Sequence, residues 1–250
     1  MRQVSPSCYY YNDGRVNAGA IVTAAGPVFI DSMLGPAQAM TFYEEVRVIA
    51  PHSARALLTT HEHFDHVLGN QVFKCDIIAS RACYNEMIKP PEKPRELPPE
   101  VSLTYPNIRF DGQLDLEIGG RLISIVHVGG HSPGSSYVWL ADEGVLFTGD
   151  LVFEGRNPFM VDANVRQWIG ILRELRKLPI QAVVPGHGQA TGPEVLDVQA
   201  GWLTRFYEEV RSMKHRPIDE IVNTVAADFN ITEREEWTIP IAVRRIVSED

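Results

Sequence analysis

Cysteine is scarce in this chain of 250 residues: the three copies are Cys8, Cys75 and Cys83, and none of them forms a CxxC motif. An odd number of cysteines without that spacing argues against a disulfide framework and favours reduced thiols. The first residues lack the apolar segment of a secretory signal, and no apolar run approaches the length that crosses a bilayer. We therefore expect a cytoplasmic protein without a membrane partner.

Basic residues are also few, since 23 lysines and arginines stand against 32 aspartates and glutamates, which gives a formal net charge of −9. This balance argues against a protein that binds nucleic acid through a general basic surface, so no nucleic-acid partner is expected. The apolar share of 44% and the charged share of 22% are ordinary for a soluble globular protein. The length allows one large domain or two small ones with a substantial core.

Histidine is concentrated in one short stretch, where His61, His63, Asp65 and His66 follow the mostly apolar run 55–58. Side chains alternate between two sides of an extended segment, so His61 and His63 point the same way. Imidazole and carboxylate together suit a borderline divalent ion such as zinc. A polar loop without a function is the alternative interpretation, but three histidines and an aspartate at this spacing favour a metal site.

Apolar strands that end in a loop with histidine or aspartate occur four times, and such loops are where α/β scaffolds build their sites. The loops hold the 61–66 cluster, His131, Asp150 and His187. Periodicity and turn residues predict strands over 16–24, 28–31, 55–60, 76–79, 107–110, 113–118, 121–128, 137–140, 145–148 and 181–184. They predict helices over 37–49, 66–73, 80–88, 163–177, 196–214, 217–228 and 232–248.

The two halves of the chain are each rich in strands and then helical. This order predicts an α/β (α+β) fold, a four-layer αβ/βα sandwich with the site between the halves. Residues 90–106 contain six prolines among charged residues, a density that prevents regular structure and predicts an extended loop. That loop is either a linker between the halves or a flap that faces the substrate, and both interpretations stay open.

The pattern His-x-His-x-Asp-His after a short apolar strand resembles the signature of the metallo-β-lactamase superfamily. The later motifs of that family follow in its order: Gly130-His131-Ser132-Pro133-Gly134, then Phe147-Thr148-Gly149-Asp150, then Val184-Pro185-Gly186-His187-Gly188. The resemblance covers about residues 16–190. It implies a single domain over residues 1–250, with a metal-binding sandwich core over 1–190 and a helical tail over 194–250.

The resemblance also assigns ligands for two divalent ions, with zinc expected and iron or manganese as alternatives. The ligands it implies are His61, His63 and His131 for the first ion, Asp65, His66 and His187 for the second, and Asp150 as a bridge between them. Asp65 is in addition the expected catalytic residue, because it is placed to orient the attacking water or to receive its proton. Asp31, which we read as a turn or cap residue, supports the metal loop in this family.

Two such ions lower the pKa of a shared water, so that a bridging hydroxide can attack a carbonyl or phosphoryl centre. Metallo-β-lactamases proper carry cysteine or a non-ligand at the position of Asp150. The segment from Gly149 to Arg156 resembles instead glyoxalase II-like thioester hydrolases and, more closely, quinoprotein-associated SoxH-like hydrolases. Phe153 stands where related lactonases carry a catalytic tyrosine. Phe153 and Arg156 are candidate substrate contacts, and an ion pair with Glu154 or Asp162 is the other role open to Arg156.

We therefore predict a hydrolase of a small ester, thioester, lactone or amide. The alternatives are an oxidoreductase that resembles persulfide dioxygenases, with one iron held by two histidines and the bridging aspartate, and a hydrolase with β-lactamase side activity. The tail from residue 194 onward packs on the sandwich, forms a substrate cap or forms the surface of a homodimer; packing is the preferred interpretation. Its last predicted helix, over 232–248, contains Trp237, Ile241 and Ile246.

Overall fold

Two β-sheets face one another in the computed structural model, which describes residues 1–90, 96–232 and 236–249. The first sheet follows chain order, and its strands are β1 (Arg2–Gln3), β2 (Cys8–Asn12), β3 (Asn17–Thr23), β4 (Gly26–Ile30), β5 (Ala56–Leu58), β6 (Asp76–Ser80) and β7 (Ile108–Phe110). The second sheet has the spatial order β12 (Ala182–His187), β11 (Val145–Phe153), β10 (Ser136–Leu140), β9 (Arg121–His127) and β8 (Gln113–Ile118). The pairs β4–β5, β5–β6, β6–β7 and β11–β12 are parallel.

Helices cover the outer face of each sheet. The first half contains α1 (Pro36–Ile49), which packs on the outer face of its sheet, and the shorter helices α2 (Phe64–Val67) and α3 (Arg81–Met87). On the side of the second sheet the helices are α4 (Val165–Leu175), α5 (Glu194–Ser212), α6 (Ile218–Asp228) and α7 (Ile239–Ser248). Helix α1 packs through Ala39, Phe42 and Val46, which are all fully buried.

The alternation of side chains along each strand separates the layers. In β4, Val28 and Ile30 belong to the core between the two sheets, whereas Phe29 packs against α1. In β11, Phe147 faces the core between the sheets and Leu146 packs on the helices of the second half. Successive side chains of a strand point to opposite faces, so strands that are buried on both faces read as continuous apolar runs. The predicted four-layer αβ/βα sandwich is confirmed.

The helix predicted over 66–73 is wrong. Helix α2 spans Phe64–Val67, and a separate 3₁₀ turn spans Asn70–Val72. The side chain of Asn70 accepts a hydrogen bond from the Ser32 hydroxyl at 2.7 Å and donates one to the carbonyl of Thr104 at 2.9 Å. These tertiary contacts hold the backbone after Leu68 in a position that a continuous helix would not give.

Several boundaries also differ from the sequence predictions. Strand β11 continues through Asp150 to Phe153, and β12 continues to His187, because the two strands stay paired despite register shifts around Gly149. The strands β1 and β2 were not predicted at all. The last helix begins at Ile239 rather than at residue 232, and residues 233–235 of that prediction lie outside the described residues.

The described part of the proline-rich segment, residues 96–106, has no regular structure, as expected, while residues 91–95 lie outside the described residues. This segment packs beside the 3₁₀ turn, where Gln71 donates a hydrogen bond to the carbonyl of Glu100 at 2.8 Å. All three cysteines are unpaired, as predicted. Among the described residues, none of the helices combines the length and the apolar character that crossing a membrane requires.

A carboxylate on the β10–β11 turn joins the N-terminal segment to the second sheet. Glu143 accepts hydrogen bonds from the Ser5 hydroxyl, from the Ser7 hydroxyl at 2.8 Å and from the Ser7 amide at 3.0 Å. The guanidinium of Arg121 lies 2.7 Å from the same carboxylate. Burial raises the pKa of Glu143, but the hydrogen bonds from Ser5 and Ser7 outweigh it and hold that pKa below its ordinary value of 4.5.

We expect Glu143→Gln to lower the free energy of unfolding at neutral pH by about 1–2 kcal/mol, because the amide cannot replace a charged acceptor. The lowered pKa belongs to the folded state, so this stabilisation is present above the ordinary pKa of 4.5 and is lost as the pH falls through the folded value. Denaturant melts at about pH 7 and about pH 3 measure the difference between the two proteins. The exposed Glu117→Gln is the control, and an undiminished difference at the lower pH would contradict this account.

Candidate metal centre

Five histidines and two aspartates from both halves of the sandwich meet between the two sheets. The loop after β5 and the helix α2 carry His61, His63, Asp65 and His66. The β9–β10 loop carries His131, while Asp150 and His187 lie on the paired strands β11 and β12. The structure therefore brings together all seven residues that the sequence analysis selected as metal ligands.

Three histidines and an aspartate form the first group, and their donor atoms lie within 4.8 Å of one another. The Nδ1 of His63 is 2.9 Å from the Nε2 of His131. The Oδ2 of Asp150 is 3.7 Å from the Nε2 of His61 and 3.6 Å from that of His131. Three imidazole nitrogens and one carboxylate oxygen around a common centre are a tetrahedral donor set of the kind that zinc accepts.

Asp65, His66 and His187 form the second group, again within 4.8 Å. The Oδ2 of Asp65 is 3.9 Å from the Nε2 of His66 and 3.4 Å from the Nε2 of His187. Asp150 reaches this group as well, because its Oδ1 is 3.0 Å from the Nε2 of His66 and its Oδ2 is 3.2 Å from the Nε2 of His187. The carboxylate of Asp150 thus lies between the two groups.

Buried atoms without hydrogen-bond partners mark where an ion fits. They include the Nε2 of His61, and also the Nε2 of His66 and the Oδ1 of Asp150, which are 3.0 Å apart but are not aligned for a hydrogen bond. Buried polar atoms are normally hydrogen-bonded, and a buried polar group left unsatisfied destabilises the fold. A divalent cation would satisfy all three atoms at once, so the residues present fit a metal centre.

The other ring nitrogen of each histidine contacts an oxygen outside the centre. The contacts are His61 Nδ1 to Thr60 Oγ1 at 3.0 Å, His63 Nε2 to Asp162 at 3.1 Å, His66 Nδ1 to Asp31 at 2.9 Å, His131 Nδ1 to the Phe159 carbonyl at 3.0 Å, and His187 Nδ1 to the Arg15 carbonyl. Donation to these oxygens places the proton on the outer nitrogen and leaves the lone pair of the inner nitrogen for a metal.

Asp31 supports the metal loop from beneath. Its Oδ1 accepts the backbone amide of Thr60, and its Oδ2 accepts the Thr60 hydroxyl, both at 2.7 Å, in addition to the bond from His66. Its backbone lies in the left-handed region at a φ of 59°, which aspartate tolerates better than most residues. Asp31 also lies near His61 and His66, but its carboxylate is already occupied by these three donors, so we assign it a supporting role.

Burial and neighbouring charges control the protonation of the centre. Burial, helped by the charges of nearby histidines, lowers the pKa of His131 to about 3, and burial also holds the pKa of His61 well below its usual range. Burial would lower the pKa of His66 too, but Asp150, Asp65 and Asp31 outweigh it and raise that pKa well above its ordinary value. The carboxylates therefore attract positive charge to this spot, which a divalent cation would supply.

Two glycines allow the metal-bearing segments to approach closely. A Cβ on Gly149 would lie 2.4 Å from the Thr60 hydroxyl oxygen, and its φ of +49° is left-handed. A Cβ on Gly186 would lie 2.0 Å from the Oδ1 of Asp150. Larger residues at these positions would push β11 away from the metal loop or displace the Asp150 carboxylate.

A cleft with a volume of about 500 Å³ opens onto the centre, and both predicted substrate contacts line it. The ring of Phe153 stacks on His187 at 5.1 Å with an interplanar angle of 9°. The guanidinium of Arg156 lies over the Phe153 ring at 5.6 Å, with a nitrogen 3.3 Å from the Nδ1 of His187. Asp162, one of the ion-pair partners considered for Arg156, contacts His63 and Arg245 instead.

A family model for the metallo-beta-lactamase superfamily matches residues 11–187, well over half of the chain. The chain belongs to the metallo-beta-lactamase superfamily. Its matched part contains every ligand candidate, from His61 to His187. The resemblance on which the sequence analysis depended is therefore confirmed.

Similar members of the superfamily include proteins with hydrolase names. An acyl-coenzyme A thioesterase MBLAC2 from Gallus gallus is 25% identical over 218 residues, which cover 75% of this chain and 78% of that protein. A metallo-beta-lactamase type 2 from Elizabethkingia meningoseptica is 26% identical over 179 residues, 68% of each chain. A hydroxyacylglutathione hydrolase from Synechococcus sp. is 27% identical over 124 residues, which are 50% of this chain and 45% of that protein's length.

The fold agrees with solved structures of the superfamily. The metallo-beta-lactamase from Pontibacter korlensis has a TM-score of 0.69 at 20% identity, and the match covers 81% of this chain and 97% of that one. The metallo-beta-lactamase IND-7 has a TM-score of 0.66 at 19% identity. At these identities the likeness establishes the sandwich and not a substrate.

The sequence analysis did not predict that three further residues lie beside the candidate metal centre. Asp162 was considered only as a partner of Arg156, and Arg15 was not considered at all. Trp237 was predicted to lie within the last helix, which is wrong: it lies just before α7, is 58% exposed and lines the metal cleft. None of the three carries a local signal, because each reaches the centre through the fold rather than through a motif.

Asp162 offers a test of the outer contacts. We expect Asp162→Ala to weaken zinc binding by about 10–100-fold, because His63 loses the carboxylate that orients its ring and raises its basicity. Asp162→Asn, which keeps an acceptor oxygen, should lose less. Competition with a chromophoric chelator measures the affinity, and Asp111→Ala, an exposed carboxylate paired with Arg81, is the matched control. Equal zinc affinities in all four proteins would rule out this role.

Proposed function

We propose that this protein is a hydrolase that uses two divalent metal ions, zinc in the first place with iron or manganese as alternatives. The observation that supports this most strongly is the position of Asp150, whose carboxylate lies between the two groups: its Oδ2 is 3.6 Å from the Nε2 of His131 and 3.2 Å from that of His187, and its Oδ1 is 3.0 Å from the Nε2 of His66. An anionic bridge offsets the repulsion between two dications. The first group would hold one ion through His61, His63 and His131, and the second would hold the other through Asp65, His66 and His187.

Divalent ions held in these groups supply Lewis acidity, which lowers the pKa of a water and polarises a substrate carbonyl. The residues of the chain position the reaction around that chemistry. The side chain of Asp65 is 34% exposed and lines the cleft, so it reaches both the substrate and the second group. Its carboxylate is suited to hold the proton that leaves the attacking water and to pass it on.

We infer that the bond cleaved is an ester or a thioester in the first instance, with lactones and amides as further candidates. In thioester hydrolysis, a C–O bond forms between the water oxygen and the acyl carbon while the C–S bond breaks. The sulfur keeps the electron pair of that bond and receives the proton held at Asp65. The products are a carboxylic acid and a thiol, and no oxidant or reductant is consumed.

Phe153 makes typical lactonase chemistry a weaker candidate within this proposal. Its side chain offers no hydroxyl, is 4% exposed and stacks on His187, so it shapes the wall of the cleft without an acid–base role. The thioesterase and hydroxyacylglutathione hydrolase names among the relatives fit thioester cleavage. A small-molecule substrate fits a cleft of about 500 Å³.

The first test is the metal content of protein that was purified without added metal, together with hydrolysis of a small panel of esters, thioesters, lactones and β-lactams. We expect close to two zinc ions per chain and hydrolysis that a chelator abolishes and zinc restores. Removal of the metal should also lower the melting temperature, since the buried donor atoms lose their partner. One iron per chain, with oxygen uptake on persulfides and no hydrolysis, would favour the dioxygenase alternative instead.

Asp65→Asn tests the proton-holding role. We expect kcat for the best substrate of the panel to fall by about 10²–10⁴-fold, because the amide cannot accept the proton. The fold should persist, since the side chain is partly exposed, and far-UV circular dichroism checks this. Asp111→Asn, far from the cleft lining, should keep full activity. If the Asp65 variant hydrolyses its substrate at the unaltered rate, another group must hold the proton.

A further inference from the structure

The metal cleft has two chemically different ends. We propose that Trp237 and Arg15 are specificity-determining residues at these ends, and that the site selects acyl compounds with an apolar acyl chain and a carboxylate on the leaving group. This inference rests on the proposed hydrolase function, which it deepens by naming the class of substrate.

The apolar end is built from aromatic rings. Trp237 contacts Phe159 edge to face, with ring centroids 5.4 Å apart, and Phe159 contacts His63 in the same way at 6.0 Å. The side chains of Thr238 and Ile239, which follow directly, are buried and anchor this segment on the fold. Trp237 is nevertheless 58% exposed, and Leu34 and Phe64 line the same cleft. A large ring anchored in this way but open toward the cleft offers an apolar surface to a ligand.

The cationic end is formed by Arg15, in the turn between β2 and β3. Its backbone carbonyl accepts the Nδ1 proton of His187, which fixes the turn beside the second donor group. Arg15 is exposed and is one of the residues that line the cleft. In residues 1–90, 96–232 and 236–249, no carboxylate lies within 4.0 Å of its guanidinium nitrogens, so this charge is available for an anion. A guanidinium pairs well with a carboxylate because of its planar array of donors.

The positions of the two ends give the substrate a direction. The Trp237 and Phe159 rings continue to His63, which belongs to the first donor group. The backbone carbonyl of Arg15 accepts a hydrogen bond from His187, which belongs to the second group. We place the scissile carbonyl over Asp150, the acyl chain toward Trp237 and the leaving group toward Arg15, because an apolar chain suits the aromatic rings and a carboxylate suits the guanidinium.

A neighbouring cavity of about 540 Å³ competes for the acyl chain, because Phe153 and Arg156 line both spaces. This second cavity is bordered by Glu154 and Glu194 and reaches Val198 on α5. Its acidic side chains make it unsuited to a carboxylate, and it borders the second donor group through Phe153, which stacks on His187, and through Arg156, which lies 3.3 Å from the Nδ1 of His187. We therefore assign the chain to the Trp237 end, and Val198→Trp, which narrows the second cavity, serves as a control.

The test measures, by calorimetry, the affinity of the zinc-loaded protein for thioethers that cannot be hydrolysed. The probes are S-alkyl mercaptoacetates with methyl to octyl chains and their neutral amide counterparts. We expect affinity to rise about tenfold or more from methyl to octyl, and the carboxylate to bind about tenfold better than the amide. Trp237→Ala should remove the dependence of affinity on chain length and keep the preference for the carboxylate. Arg15→Gln should remove the preference for the carboxylate and keep the dependence on chain length.

The matched controls are Tyr105→Ala, Arg47→Gln and Val198→Trp, which should keep both preferences. Trp237→Gln is a second variant at the apolar end, and melting temperatures identify any variant that fails to fold. The same seven proteins are assayed for hydrolysis of the matching thioesters. Binding preferences without hydrolysis would support the specificity residues and contradict the proposed function. Two results would overturn this inference while hydrolysis leaves the proposed function intact. In the first, the preferences for a long chain and for a carboxylate survive both Trp237 variants and Arg15→Gln. In the second, these preferences disappear in Val198→Trp.

Discussion

A buried carboxylate, Asp31, joins the end of β4 to the loop that carries three of the five histidines. Its oxygens accept the amide and the hydroxyl of Thr60 and the ring proton of His66. Thr60 in turn receives the outer proton of His61 and packs on Gly149, beside the bridging aspartate. The Asp31 side chain thus fixes the position of the metal loop relative to β4 and the tautomers of His61 and His66. Through Thr60 it also fixes how closely β11 packs against the metal loop.

The same centre places negative charge where water is excluded. Asp31 is 2% exposed and Asp150 is 4% exposed, and both lie beside imidazoles whose inner nitrogens face one another. Without a cation, this arrangement holds unsatisfied acceptors in a low-dielectric interior, which is costly. Binding of a divalent cation by these residues would therefore be thermodynamically coupled to folding. The sandwich supplies the rigidity, and such an ion would supply the charge that the interior lacks.

The sandwich and the grouping of seven histidines and aspartates were predictable from sequence, because strands and the motifs that carry these residues are local patterns. Alternating or continuous apolar runs identify strands such as β4, and a ligand such as His131 sits in a glycine-rich loop at a strand end. The prediction of a helix over 66–73 failed for the opposite reason. The contacts of Asn70 that interrupt the helix are with Ser32 and Thr104, which are far from it in the sequence. Asp162 and Trp237 escaped notice likewise, because only the folded chain brings them to the centre.

The ligands and the two ends of the cleft belong to different kinds of segment. The candidate ligands lie on β11, β12 and α2 or on the loops after β5 and β9, and most of them are buried. Arg15 lies in a hairpin turn, and Trp237 lies in the connection that leads into the last helix. In evolutionary terms, the specificity of such a protein can drift by substitutions in two peripheral segments while the chemistry is inherited unchanged. A single scaffold can in this way give rise to paralogues that catalyse the same reaction on different substrates.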